Sequence, residues 1–137
     1  MKPTNQKNMN HQAGMTLLEL TVVILVLLSL ISILFIGARA WKRGSDRAGC
    51  IIQIRNVQQG VRSYANMNNL IPGATVTGWQ AQVVGSGMFV EKSPVCPGGG
   101  TYTYASDTVI PAVGSLAMTC SLAPSPDLHV PVSYTDW

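Results

Sequence analysis

The decisive stretch reads Gly14-Met15-Thr16-Leu17-Leu18-Glu19, followed by LTVVILVLLSLISILFIGA over residues 20–38. Residues 20–38 carry no charge, and as an α-helix they would extend about 28 Å, close to the hydrocarbon thickness of a bilayer. A helix buried in a soluble core shows a polar face. Here the only polar interruptions are Thr21, Ser29 and Ser32, so the segment is expected to cross a membrane. In a chain of 137 residues this leaves material for one small head.

Outward from the span, residues 1–14 (MKPTNQKNMNHQAG) hold two lysines, no acid and no hydrophobic periodicity, so they read as a targeting segment rather than part of a core. Orientation signals conflict. Lys2 and Lys7 precede the span while Arg39, Lys42, Arg43 and Arg47 follow it, which alone would place the C-terminal part in the cytoplasm. Cys96 and Cys120 flank a short Gly- and Thr-rich stretch and look like a disulfide pair, a bond of oxidising compartments.

Residues 14–36 resolve the conflict. They resemble the signal of type IV prepilins and type II secretion pseudopilins: Gly, a hydrophobic residue, Thr, two hydrophobics, Glu, then about twenty apolar residues. The resemblance implies that a membrane aspartyl peptidase, the prepilin peptidase, cuts after Gly14 on the cytoplasmic side and methylates the new amine of Met15. It implies a single-pass inner-membrane protein with its head in the periplasm or outside, drawn by an inner-membrane assembly platform into a type IV pilus or a secretion filament. Its partners would be other pilin or pseudopilin subunits and membrane lipid. Two positions depart from the commonest pattern: Met15 replaces the usual Phe, and Ile36 stands where many pilins have a helix-kinking proline.

Glu19 needs a reason, because a carboxylate at bilayer depth costs roughly 2.5–3.5 kcal/mol unless paired. Locally, Thr16-x-x-Glu19 fits a capping box at the positive end of the helix. The resemblance adds an assembly role, in which Glu19 meets a free N-terminal amine, its own or a neighbour's, as subunits enter the filament. A competing reading takes Ala38-Arg39-Ala40 as an ordinary secretory cleavage site, or leaves the span uncut, giving a small secreted or anchored binding domain. Against it stand the length of the apolar run, Glu19 at its opening, and the crowding of the cut by Arg39, Lys42 and Arg43.

Beyond the basic cluster, Cys50, Ile54, Val57, Val61 and Tyr64 recur at helical spacing as one apolar stripe. Gln53, Arg55, Gln58, Gln59 and Arg62 lie off it and are expected to meet solvent or neighbouring subunits. Gly44 and Gly49 invite bending or local melting. Asn68-Asn69, then Pro72-Gly73, ends the helix. Thr77-Gly78-Trp79-Gln80 offers a second capping box before a helix of at most two turns. Residues 101–105 (TYTYA) and 116–120 (LAMTC) are strand candidates, kept short by six prolines. The expected fold is therefore α+β: a leader (1–14), a transmembrane assembly helix (15–38), an amphipathic stalk helix (39–70) and a small antiparallel sheet head (71–137). The helix cysteine, the Asn-Asn-x-x-Pro-Gly exit and the run Cys96-Pro97-Gly98-Gly99-Gly100-Thr101-Tyr102, with Cys120-Ser121 and His129, resemble a subset of short pseudopilins.

Other chemistry finds little support. Charged residues are 11% of the chain and net charge is +3, without the basic patch or aromatic interleaving of a nucleic-acid binder. The three glycines after Pro97 read as a tight turn, since no Lys-Ser/Thr of a phosphate loop follows. Three cysteines and His129 have the composition of a Cys3His zinc site, yet no C-x2–4-C pair is present, and a Cys96–Cys120 bridge with Cys50 left as a buried or interface thiol is preferred. Asp107, Asp127 and Asp136 are too scattered for a calcium cage. No Ser or Cys has a visible base and orienter, so no catalysis and no cofactor are expected.

Overall fold

The computed structural model describes residues 14, 16–124 and 126–137. The expected leader, apart from Gly14, and the expected methylation site Met15 lie outside the described residues. The elements are helix α1 (Leu17–Met67), helix α2 (Trp79–Val83), and strands β1 (Tyr102–Tyr104) and β2 (Met118–Cys120). One long helix, apolar in its first half, and a two-stranded antiparallel sheet accord with an α+β fold.

The chain divides into two compact units, up to Ala38 and from Arg39 onward. In the first, the helix is long and apolar enough to cross a membrane and none of its side chains is buried. The polar side chains along it bond to their own helix: Thr21 Oγ1 donates to the Leu18 carbonyl, Ser29 Oγ to Val26 and Ser32 Oγ to Leu28, each at 2.8 Å. Such back-bonding leaves no hydroxyl unsatisfied in a medium without water.

In the second unit the helical stripe is the spine of the core. Cys50, Ile54, Val57 and Val61 are buried, and Tyr64 is partly buried against them. The helix runs through Gly44 and Gly49 without a break. Gly49 serves instead as a close-approach point, since a Cβ there would stand 2.9 Å from Pro97 Cγ. The helix ends in a Schellman motif: Asn69 takes the left-handed conformation (φ 53°), Leu70 N–H reaches the Ala65 carbonyl at 2.8 Å and Asn69 N–H reaches Asn66 at 3.3 Å.

The second capping box does not form. Gly78, with φ 75°, precedes α2 in the left-handed region and no side chain caps it. Trp79 is fully buried and meets Tyr104 edge to face at 6.0 Å. The strands pair Tyr102 with Cys120, Thr103 with Thr119 and Tyr104 with Met118.

Three of the residues expected to meet solvent or neighbouring subunits contact the head instead. Gln58 is buried; its Nε2 donates to the Ser115 carbonyl at 3.0 Å and its Oε1 accepts from Ala117 N–H at 2.8 Å. Arg62 donates to the main-chain oxygens of Pro111, Ala112 and Trp137 at 2.8, 3.0 and 2.7 Å. Arg55 lies over the Trp137 ring at 4.7 Å, so the last aromatic tucks against α1.

Candidate functional site

At the start of α1, Thr16 acts as N-cap. Its carbonyl accepts from Leu20 N–H at 3.2 Å and its Oγ1 from Glu19 N–H at 3.3 Å, half of the expected capping box. Glu19 is exposed in the first turn. From Leu17 to Ile36 the large apolar side chains are all exposed, between 45% and 81%, an apolar surface that water does not tolerate uncovered at this extent. Gly14 is exposed, and a Cβ placed there would meet nothing within 4 Å.

A second constellation forms in the head. Cys50 comes from α1, Cys96 from the segment leading into the triple-glycine turn, Cys120 from the end of β2, and His129 from the C-terminal tail. All four are buried, and their ligand atoms lie within 4.8 Å of one another. Cys120 Sγ stands 3.7 Å from Cys96 Sγ, and His129 Nδ1 stands 3.4 Å from Cys96 Sγ. The three cysteines are free thiols. Cys96 and Cys120, the pair expected from sequence to bridge, thus stand side by side, with Cys50 and His129 as two further members of the group.

The surroundings are shaped to this cluster. Gly99 N–H closes the turn onto the Cys96 carbonyl at 3.0 Å. A Cβ on Gly98 would meet His129 Cε1 at 2.7 Å, and one on Gly100 would meet Cys120 Sγ at 2.6 Å. The glycines that read as a simple turn therefore also make room for the ligand-type side chains. Tyr102, paired across the sheet from Cys120, donates its hydroxyl to Cys50 Sγ at 3.3 Å and to the Cys50 carbonyl at 3.4 Å. His129 N–H is tied to the Leu122 carbonyl at 3.0 Å, which fixes the tail over the cluster.

The thiols differ in acidity. Burial pushes Cys50 up to about 12, against which the Tyr102 hydrogen bond pulls. At Cys96 burial also acts upward, but hydrogen bonds from the His129 ring and the backbone N–H groups of Gly100 and Gly98 outweigh it and bring the thiol down to about 7. Burial raises the Tyr102 phenol, so it stays a donor. Cys96 therefore becomes a thiolate far more readily than Cys50.

In the sequence these four residues have a zinc-site composition but lack a paired ligand motif, which argues against grouping them. The signal that could have found them is the coincidence of every cysteine in the chain with a helix stripe, a Gly-rich turn and a strand end that must share one small core. Searches against protein-family models, curated proteins and solved structures find no match to this chain.

Proposed function

We propose that the chain is a structural subunit of a pilin-like filament, of a type IV pilus or type II secretion kind, assembled through its N-terminal helix. The observation that carries this reading is the wholly exposed apolar surface of α1 from Leu17 to Ile36, opened by an exposed Glu19 under a Thr16 cap. Such a surface suits lipid in a precursor and the same helix of neighbouring subunits in a filament, where van der Waals packing replaces lipid contact. The resemblance of residues 14–36 to the prepilin signal supplies the processing: the peptidase cuts after Gly14 and methylates Met15.

Before assembly the protein is a single-pass inner-membrane protein with its head outside the cytoplasm. That orientation rests on the resemblance of residues 14–36 to the prepilin signal. Glu19 then has a task that capping alone does not demand. A charged carboxylate is unfavourable against lipid, and beside the ammonium of a neighbouring Met15 it selects the docking register. No enzymatic activity and no nucleic-acid contact belong to this reading.

Crosslinking between cysteines introduced on adjacent α1 helices tests the assembly role. The Glu19→Ala protein should be processed and inserted as the wild type is, yet form few crosslinked multimers. Wild-type multimer levels from the alanine variant would remove the role assigned to Glu19.

A further inference from the structure

We propose that Cys50, Cys96, Cys120 and His129 are the four ligands of a structural zinc(II) ion that fastens helix α1 to the head. With Zn–S near 2.3 Å and Zn–N near 2.0–2.1 Å, a tetrahedral centre places two sulfurs about 3.8 Å apart and a sulfur and a nitrogen about 3.6 Å apart. The Cys96–Cys120 and Cys96–His129 separations, 3.7 and 3.4 Å, fall close to those edges. Four ligand atoms within 4.8 Å of one another enclose the space of one ion and not of a multinuclear cluster. Three cysteines and a histidine are the Cys3His donor set of structural zinc sites.

The set is complete, with no open position for water or substrate, which makes the site structural rather than catalytic. Binding takes one proton from each thiol to solvent, three per ion, while neutral His129 offers the Nδ1 lone pair. The resulting centre carries one net negative charge. The Tyr102 hydroxyl at 3.3 Å from Cys50 Sγ is a donor placed to offset it, as outer-shell groups around metal thiolates do. The ligands join segments 24, 33 and 79 residues apart, so the ion would cross-link the helix, the glycine turn, the strand and the tail of a head whose core is small.

A Cys96–Cys120 disulfide is the competing state, but it gives no reason for Cys50 and His129 to converge on the same point. The two states separate on the full-length chain in detergent. Reduced wild-type protein is expected to retain about one zinc per chain. Replacement by cobalt(II) should give the intense visible absorption and the near-ultraviolet sulfur-to-metal band of a tetrahedral thiolate site. His129→Cys, which keeps four soft ligands, should still bind cobalt with a shifted spectrum, whereas Cys120→Ser should lose the tetrahedral signature. Should the serine variant not fold, the wild-type cobalt spectrum decides alone. Reduced wild-type protein that takes up no metal, or that gives a weak octahedral cobalt spectrum, overturns the proposal.

Discussion

Gly100 lies so near Cys120 that a methyl group in place of its hydrogen would stand 2.6 Å from the sulfur. Cys120 is paired with Tyr102 in the sheet and is buried, so relieving this contact means shifting packed groups. Gly100→Ala should therefore cost about 1–3 kcal/mol, the range of overpacked core substitutions, and should also weaken metal retention. Thermal unfolding with metal analysis checks both. An alanine variant as stable as the wild type would mean that the cluster is looser than this close approach requires.

Two glycines on the same helix should respond with opposite signs. Gly44 has nothing within 4 Å of a Cβ, so Gly44→Ala should stabilise by roughly 0.5–1 kcal/mol through helix propensity. Gly49 faces Pro97 Cγ at 2.9 Å, so Gly49→Ala should destabilise. Denaturant midpoints of the two variants measure this directly, and two shifts of the same sign would contradict the packing of Pro97 on α1.

Gln58 links helix to head through both ends of its amide, and Ala117, which it binds, is fully buried. Gln58→Ala leaves the Ala117 N–H without its partner and should cost about 1–3 kcal/mol, whereas Gln59→Ala on the exposed face should stay within about 0.5 kcal/mol. Equal effects from the two, by urea titration, would place Gln58 at the surface.

Much of this fold is legible in the sequence, and the reasons differ by residue. Cys50, Ile54, Val57 and Val61 announce themselves by period, because a helix repeats every 3.6 residues. Asn69 announces the helix end, because asparagine tolerates the left-handed cap. Gln58 and Arg62 do not, since a long polar side chain reads alike whether it bonds solvent or a strand edge. The cysteine–histidine cluster is hidden for another reason. Cys96 and Cys120 lie 24 residues apart and Cys50 and His129 lie 79 apart, and only the packing of β2 and the tail on α1 makes them neighbours.

The acidity of the thiols predicts a pH optimum for the reduced, chelator-treated protein. Cys96 falls from its ordinary 9.0 to about 7 in the folded state, so its contribution is fully present above pH 9 and is lost as pH falls through 7. Cys50 rises to about 12, so its contribution is present below pH 9 and is lost as pH climbs toward 12. Urea midpoints should therefore be highest near pH 9. A midpoint that declines steadily from about pH 6 upward would contradict the lowered pKa of Cys96.

The proposed processing after Gly14 into a filament subunit is tested by the mass of the mature N-terminal peptide from membrane-extracted protein. The expected chain begins at N-methylated Met15, and the Gly14→Val precursor remains uncut because the peptidase must approach the backbone closely at the scissile bond. A mature chain beginning at Trp41, or one that retains Met1, would contradict the filament-subunit reading.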